Sequence, residues 1–241
     1  MSEIKNYDRE RASQYDNESE FDKGNRSIHV LLLKDIFSFY KMNPVHCIEL
    51  GCGTGFFTKV LVESFPEMKC ILVDGSVDML NVAKSKFLEK PNIYYRQAWL
   101  QNIDWQSIPS NDLVFSALTI HHLKDTEKFD LYKKIYENMT IGGKFIYFDQ
   151  FKIDHGEGDL LIEYLACRDI QARLIAEMQL DFMIDELEID TIIANDRRAK
   201  ASENDKEALI STTIDQLKTL GFKSVNIVYQ EFRFFSIIAI K

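Results

Sequence analysis

A run of closely spaced glycines follows a short apolar segment near the start of the chain. Gly51, Gly53 and Gly55 alternate with other residues directly after residues 47–50, and helix-like apolar spacing begins at Phe57. Glycine adopts left-handed backbone angles and lets a ligand lie against the main chain. The following helix directs free backbone N–H groups at the same turn. The pattern predicts a strand, a tight turn and a helix that together bind a nucleotide-like ligand.

Glu49 and the spacing of the glycines narrow the class of ligand. In a dinucleotide-binding turn the third glycine comes three residues after the second, where this chain has Phe56. A phosphate-binding loop ends in Gly-Lys-Ser or Gly-Lys-Thr, which this turn does not contain. The Glu49 carboxylate would repel a pyrophosphate but can accept a hydrogen bond from an ammonium group. We therefore expect neither NAD, FAD nor ATP as the ligand.

Asp74 ends a second apolar run, and Ser76 then begins a helix as its N-cap. An acid at the end of the second strand is well placed to accept hydrogen bonds from both ribose hydroxyls of an adenosine. An aspartate before a glycine is also common in turns that bind nothing. The position of Asp74 after the glycine turn favours the ribose contact.

Two adjacent histidines, His121 and His122, follow a fourth apolar run that ends near Ser116 and Ala117. Open α/β sheets bind ligands beyond the carboxyl ends of their strands, where the strand order reverses. We therefore expect Ser116, Ala117 and His121 to face the ligand. Histidine can serve as a general base at neutral pH, and we predict this catalytic role for His121. Alternatively, one histidine packs and the other bonds to the next helix.

The segment Ile48-Glu49-Leu50-Gly51-Cys52-Gly53-Thr54-Gly55 resembles the first motif of the class I S-adenosylmethionine-dependent methyltransferases, and His-His-Leu at 121–123 is similar to the fourth motif of their small-molecule members. The resemblance implies S-adenosylmethionine as cofactor and methyl transfer to an O, N or C nucleophile of a small molecule. It also implies that Glu49 binds the methionine amino group and that Tyr15 lies in a lid over the cofactor. The predicted cofactor-binding residues are Tyr15, Glu49, Gly51, Cys52, Gly53, Gly55, Asp74, Gly75, Ser76, Met79, Ala98, Trp99, Leu100, Ser116 and Ala117.

The chain departs from this family after its third strand. Family members usually carry Gly-Asp or Ala-Asp there, and the aspartate accepts a hydrogen bond from the adenine amino group. This chain has Ala98-Trp99-Leu100 instead. A tryptophan cannot accept that bond, although its ring can stack on the base, so Gln101 or the backbone would make the polar contact.

Strands and helices alternate along most of the chain, which predicts an α/β fold with a doubly wound, parallel sheet. The family resemblance implies seven strands in a Rossmann-like sheet, with the last strand antiparallel and a helical insertion after strand five. Gly142-Gly143-Lys144 resembles the family's turn before the fifth strand.

We predict three parts along the chain. Residues 1–44 form an N-terminal lid and a covering helix, and residues 45–153 with 201–241 form the cofactor-binding core. Residues 154–200 form a helical cap, because their apolar residues are helically spaced. An insertion after strand five lies beside the strand ends, so it would form a substrate cap or the surface of a homodimer.

Composition restricts the partners and the location of the protein. The net charge of −9 disfavours nucleic acid, which requires clustered Lys and Arg. No apolar run has the length of a membrane span, and the N-terminus lacks the apolar stretch of a signal peptide. The four cysteines form no C-x-x-C pair. We therefore expect a cytoplasmic protein with a small-molecule acceptor, no membrane partner and no metal.

Two other functions stay open. The segments 131–136 and 232–241 resemble carboxy-S-adenosylmethionine synthases, which would use the same pocket but need a cation such as Arg197 or Arg198 for the added carboxylate. A non-catalytic S-adenosylmethionine-binding protein would keep the pocket and show no turnover on any acceptor.

Overall fold

The computed structural model describes residues 9–14, 26–178 and 186–241. Its strands are β1 (His46–Leu50), β2 (Lys69–Asp74), β3 (Ile93–Gln97), β4 (Asn111–Ala117), β5 (Met139–Gln150), β6 (Ser224–Glu231) and β7 (Phe234–Ile240). They form one sheet in the order β3-β2-β1-β4-β5-β7-β6. The first five strands pair in parallel, whereas β7 is antiparallel to β5 and to β6. The predicted fold class is confirmed, including the antiparallel last strand.

Helices cover both faces of this sheet. They are α1 (Arg9–Gln14), α2 (Arg26–Phe39), α3 (Phe56–Ser64), α4 (Val77–Lys86), α5 (Asp125–Asn138), α6 (Glu157–Met178), α7 (Glu186–Glu203) and α8 (Ile210–Leu220). The core on one face contains residues of α2, α3 and α4, and the core on the other contains residues of α5 and α8. Among the described helices, none is both long and apolar enough to cross a membrane.

The central strands are apolar on both sides because both sides are covered. In β4, Val114 packs into the core of one face, while Leu113 and Phe115 pack into the core of the other. All three side chains are at most 1% exposed. A strand covered on both faces is expected to be a continuous apolar run, which is how β1, β2 and β4 look in the sequence.

The strand order reverses between β1 and β4. The chain passes from β1 to β2 on one side and later returns to β4 on the other side of β1. The loops that follow these two strands therefore diverge and leave a crevice at their carboxyl ends, which is where open α/β sheets bind ligands.

The glycine turn after β1 is held against β2. Gly51 and Cys52 both donate backbone hydrogen bonds to the Val73 carbonyl, at 2.8 and 3.0 Å. Gly51 has a φ of 72°, and a Cβ built on it would lie 2.2 Å from the side chain of Thr119. Only glycine fits this position, because both the backbone angle and the space exclude a side chain.

The segment Gly142-Gly143-Lys144 lies within a strand, so the turn expected there before strand five is wrong. β5 begins at Met139 and continues through this segment. Its pairing with β4 shifts register between the Asn111 and Leu113 positions, and Gly142 takes a φ of 80° at the irregularity. The glycines thus lie in an irregular bulge, where the β5 residues from 139 to 144 face the β4 residues from 111 to 113.

Helices α6 and α7 come between β5 and α8 and pack against each other. Arg197 of α7 makes two hydrogen bonds to Glu163 of α6, at 3.1 and 2.5 Å. Arg233, before β7, lies 3.5 Å from Glu163 and 3.2 Å from Glu207. These ion pairs join both helices to the antiparallel edge of the sheet.

Helix α1 contacts α4, and its Arg11 pairs with Glu203 at the end of α7 at 2.6 Å. Ala12 of the same helix is buried. This helix therefore connects elements that lie on two sides of the crevice. The lid, the cap and the domain boundaries stay predictions.

Candidate functional site

A cavity of about 1180 Å³ opens at the carboxyl ends of the parallel strands. Glu49, Asp74, Gln97 and Ala117, at the ends of β1, β2, β3 and β4, all line it. The cavity thus occupies the crevice that the reversal of strand order produces.

The glycine turn forms the floor of the cavity. Gly51, Cys52 and Gly53 line it, and so does Phe56, the first residue of α3. Helix α3 begins after Gly55 without a side-chain cap. The first backbone N–H groups of α3 are therefore available to a ligand in the turn, together with the positive end of the helix dipole.

Glu49 is a buried carboxyl group in the wall of the cavity. Its Oε2 accepts a hydrogen bond of 2.6 Å from Thr58 Oγ1, on the first turn of α3. Burial raises the pKa of Glu49 to about 8, even though the Thr58 bond favours the ionised form. A cationic ligand beside Glu49 would stabilise the carboxylate, so the site favours a group such as an ammonium.

Asp74 connects the glycine turn to the start of α4. Its Oδ2 accepts from the backbone N–H of Gly53 and its Oδ1 from that of Ser76, each at 2.8 Å. Burial raises the pKa of Asp74. Ser76 in turn accepts from the Met79 N–H at 3.2 Å and caps α4. Each Asp74 oxygen has a second lone-pair position for a ligand hydroxyl.

Trp99 forms the wall of the cavity next to Asp74. Its ring lies against Gly75, since a Cβ built on Gly75 would be 2.4 Å from Trp99 Cε3. The side chain is 40% exposed and lines the cavity. Gln101 and Asn102 line the same region and supply polar groups. An aromatic face beside amide groups fits a flat heterocycle.

Most of the predicted cofactor-binding residues line this cavity: Glu49, Gly51, Cys52, Gly53, Asp74, Gly75, Ser76, Met79, Trp99, Leu100 and Ala117. Gly55, Ala98 and Ser116 do not. Gly55 faces Phe87, Ala98 N–H donates to the Asp74 carbonyl, and buried Ser116 donates to the Leu50 carbonyl at 2.9 Å. Tyr15 lies outside the described residues. The binding roles of all these residues stay predictions.

His121 lies behind the cavity wall and does not line it. Its Nδ1 bonds to Asp149, and its Nε2 lies 3.5 Å from Asp205. Burial alone would lower the pKa of His121, but the two carboxylates outweigh burial and raise that pKa to about 10. Both ring nitrogens therefore face carboxylates rather than the cavity, and the role of His121 as a general base stays a prediction.

Arg26 and the segment around Asp205 are cavity residues that sequence reasoning missed. Arg26 is only 7% exposed, lines the cavity, and has its guanidinium 5.4 Å from the centroid of the Phe56 ring. Asn204 and Lys206 line the cavity as well. Arg26 could have been noted in the sequence as the cation at the first position of the covering helix α2. Nothing local in the sequence indicates Asn204 or Lys206.

Arg197 and Arg198 do not line the cavity. Arg197 is paired with Glu163, and Arg198 donates to the Ala194 carbonyl and to Asn195. Neither arginine is placed to bind a carboxylate on a ligand in the cavity.

Comparisons with known proteins agree with this arrangement. Residues 47–143 match the family described as Methyltransferase domain. The malonyl-acyl-carrier-protein O-methyltransferase 1 of Ilyobacter polytropus is 29% identical over 133 residues, which are 55% of this chain and 46% of that protein. The carboxy-S-adenosyl-L-methionine synthase of Campylobacter lari is 26% identical over 218 residues, which are 88% of this chain and 83% of that protein.

Among solved structures, phosphoethanolamine N-methyltransferase 2 of Haemonchus contortus, in complex with S-adenosyl-L-methionine, superposes with a TM-score of 0.57. Its sequence is 19% identical, and the match covers 84% of this chain and 38% of that chain. The chain thus spans less than half the length of this protein and of the Ilyobacter relative. The structural match shows the same fold.

Proposed function

We propose that the chain transfers the methyl group of S-adenosylmethionine to an O, N or C nucleophile of a small molecule. Its residues 47–143 form a class I S-adenosylmethionine-dependent methyltransferase domain. The observation that carries this proposal is the convergence of Glu49, the glycine turn and Asp74 on one cavity at the reversal of strand order. Glu49 matches the ammonium of that cofactor, and Asp74 matches its ribose. The glycine turn between them matches the part of the cofactor that lies against the protein backbone.

The charges in the cavity support one orientation of the cofactor. Glu49 would bind the methionine ammonium, and Arg26, near the start of α3, would bind the methionine carboxylate. Asp74 would accept from the ribose hydroxyls, and the ring of Trp99 would stack on the adenine. The sulfonium then lies between the glycine turn and the segment that follows β4.

Methyl transfer from a sulfonium makes modest demands on the protein. The leaving group is already activated, so holding the nucleophile, methyl carbon and sulfur in line supplies much of the rate. Orientation of this kind is worth up to about 7–11 kcal/mol. A general base is needed only for an acceptor that reacts from its protonated form.

The size of the cavity supports a small acceptor. Ligand pockets typically have volumes of roughly 300–1,000 Å³, and this cavity slightly exceeds that range. It therefore has room for the cofactor and a compact second molecule. Thr119, His122, Asn204 and Lys206 would surround that acceptor, because they line the wall beyond β4.

A carboxy-S-adenosylmethionine synthase is the second candidate, because the Campylobacter lari relative matches over most of both chains. This function requires a cation for the added carboxylate, and Arg197 and Arg198 are both engaged outside the cavity. The methyltransferase proposal therefore fits the geometry better. Mass spectrometry of ligand that copurifies with the chain separates the two, since carboxylated cofactor in the preparation would favour the synthase.

The proposal is tested by incubating the purified chain with methyl-labelled S-adenosylmethionine and a panel of small hydroxy, amino and carboxylic acids. We expect label in one acceptor together with S-adenosylhomocysteine. Asp74→Ala should lose the transfer and Asp130→Ala, an exposed acid, should retain it. Tight cofactor binding with no transfer to any acceptor class would instead favour a non-catalytic binding protein.

A further inference from the structure

Two imidazoles and a carboxylate converge at one wall of the cavity. His122 Nδ1 lies 3.2 Å from Asp205 Oδ1, and His121 Nε2 lies 3.5 Å from the same oxygen. The three ligand atoms are within 4.8 Å of one another. His122 lines the cavity, as do Asn204 and Lys206 on either side of Asp205. The cluster therefore borders the space proposed for the acceptor.

The spacing of these atoms is that of ligands around a tetrahedral metal ion. Zinc lies about 2.0–2.1 Å from imidazole nitrogen and carboxylate oxygen, so two such ligands at the tetrahedral angle are about 3.3 Å apart. The two distances to Asp205 Oδ1, 3.2 and 3.5 Å, fall on either side of that value. A hydrogen-bonded N···O pair spans about 2.7–3.2 Å, so the 3.5 Å between His121 Nε2 and Asp205 Oδ1 lies beyond that range.

Asp205 is held with one carboxylate oxygen directed at the imidazoles. Its Oδ2 accepts a hydrogen bond of 2.9 Å from Gln150 Nε2, and its backbone N–H donates to the Lys200 carbonyl at 3.0 Å. Its Oδ1 is buried and accepts no hydrogen bond from any residue that the structure describes. Because a buried carboxylate oxygen requires a donor or a cation, this atom is available as a metal ligand.

His121 is oriented by a carboxylate on the far side of its ring. Its Nδ1 bonds to Asp149 Oδ1, and its backbone N–H donates to Asp149 Oδ2 at 3.1 Å. Both contacts fix the ring with Nε2 toward Asp205, where a bound metal ion would displace the Nε2 proton to solvent. Histidines that bind metals almost always donate their other ring nitrogen to such a group, which sets the tautomer.

We propose that His121, His122 and Asp205 bind one divalent transition-metal ion of the zinc class, with Asp149 as the residue that orients His121. Asp149 and Asp205 are 0% and 4% exposed in their side chains, and a divalent ion would balance both charges. Two imidazoles and one carboxylate form a ligand set typical of zinc rather than of magnesium or calcium.

Three protein ligands leave a fourth position on the ion, as in catalytic zinc sites. Because His122 lines the cavity, we infer that this position takes an oxygen atom of the acceptor, a step that rests on the proposed function. The acceptor would then carry a hydroxyl or carboxylate group close to the transferred methyl.

The site is tested by metal binding to the full chain, which does not depend on methyl transfer. Chelator-treated protein is titrated with Co²⁺, whose visible absorption reports tetrahedral coordination, and Zn²⁺ retained after dialysis is counted by mass spectrometry. We expect one equivalent in the wild type. His122→Gln and Asp205→Asn should bind at least about 100-fold more weakly, since loss of an outer-shell partner alone costs 10- to 100-fold. His155→Gln, which changes an exposed histidine, should bind like the wild type.

Circular dichroism and calorimetry with S-adenosylmethionine on the same samples show that each variant is folded and retains its cofactor pocket. Cofactor binding without a metal equivalent in the wild type would overturn the metal site and leave the proposed function intact. Metal binding without cofactor binding would contradict the proposed function alone. Equal metal affinity in the wild type and both variants would overturn the assignment of His122 and Asp205 as ligands.

Discussion

Glu49 lies in a site that favours its neutral form when no ligand is bound. Burial raises its pKa to about 8 from an ordinary 4.5, so the folded chain binds more protons than the unfolded chain between those values. The free energy of unfolding contributed by this group must therefore fall as pH rises from about 4.5 to 8. We predict that Glu49→Gln, which can still accept from Thr58, flattens this pH dependence in urea unfolding.

Asp130→Asn is the control for this prediction, because Asp130 is an exposed carboxylate outside the cavity lining. Its unfolding free energy should follow the pH dependence of the wild type. A wild-type slope in Glu49→Gln would show that the Glu49 carboxyl is ionised in the empty cavity.

Gly51 and Gly53 provide a matched pair in the same turn. Both have positive φ, which costs a non-glycine residue about 1–2 kcal/mol. A Cβ on Gly51 would also collide with Thr119, whereas a Cβ on Gly53 meets no atom within 4 Å. We predict that Gly51→Ala loses roughly 1–3 kcal/mol more unfolding free energy than Gly53→Ala, the usual cost of overpacking. Equal losses in urea unfolding would contradict the close approach of Thr119.

Residues whose role depends on neighbours along the chain could be predicted from the sequence. Residues whose role depends on contacts with distant segments could not. The glycine turn and Asp74 were found because their spacing along the chain reflects local geometry. The state of His121 depends on Asp149 and Asp205, which the sequence places far away. Its role as a base stays a prediction, and the two carboxylates beside its ring left no signal in the sequence.

Among the elements, the ion pairs around Arg233 join α6 and α7 to the sheet. Arg233, Glu163 and Glu207 have side chains at most 9% exposed. Arg233→Met would leave two buried carboxylates with one partner fewer. We predict a loss of about 3 kcal/mol, the lower end for a broken buried pair, since Arg197 and Lys200 still face the glutamates.

The matched control is Arg198→Met, because Arg198 is exposed and bonds only within its own helix among the described contacts. Its unfolding free energy should stay within about 0.5 kcal/mol of the wild type. Thermal unfolding followed by circular dichroism compares the two variants. Equal stability of both would mean that α6 and α7 are held to the sheet by other contacts.

The parallel strands were predictable as elements because both of their faces are buried, which gives continuous apolar runs. The bulge in β5 was mistaken for a turn, because Gly142-Gly143 is compatible with either and only pairing with β4 decides between them. The contact of Arg11 with Glu203 joins distant parts of the chain and left no pattern in the sequence.

For the molecule as a whole, the two halves of the cavity differ in how far they could be predicted. The half proposed for the cofactor is formed by consecutive turns after β1, β2 and β3, so its order is visible in the sequence. The half proposed for the acceptor combines the segment after β4 with residues 204–206. The acceptor therefore has to be identified by experiment, whereas the cofactor follows from the fold and the turn.

The central claim is that Asp74 and the glycine turn bind S-adenosylmethionine, and calorimetric titration tests it most directly. Asp130→Ala should bind each ligand, S-adenosylmethionine and S-adenosylhomocysteine, with the same affinity as the wild type does. Asp74→Ala should bind roughly 10- to 100-fold more weakly, because hydrogen bonds to a charged group contribute about 1.5–3 kcal/mol. Absence of binding to either ligand by folded wild-type protein would contradict the account.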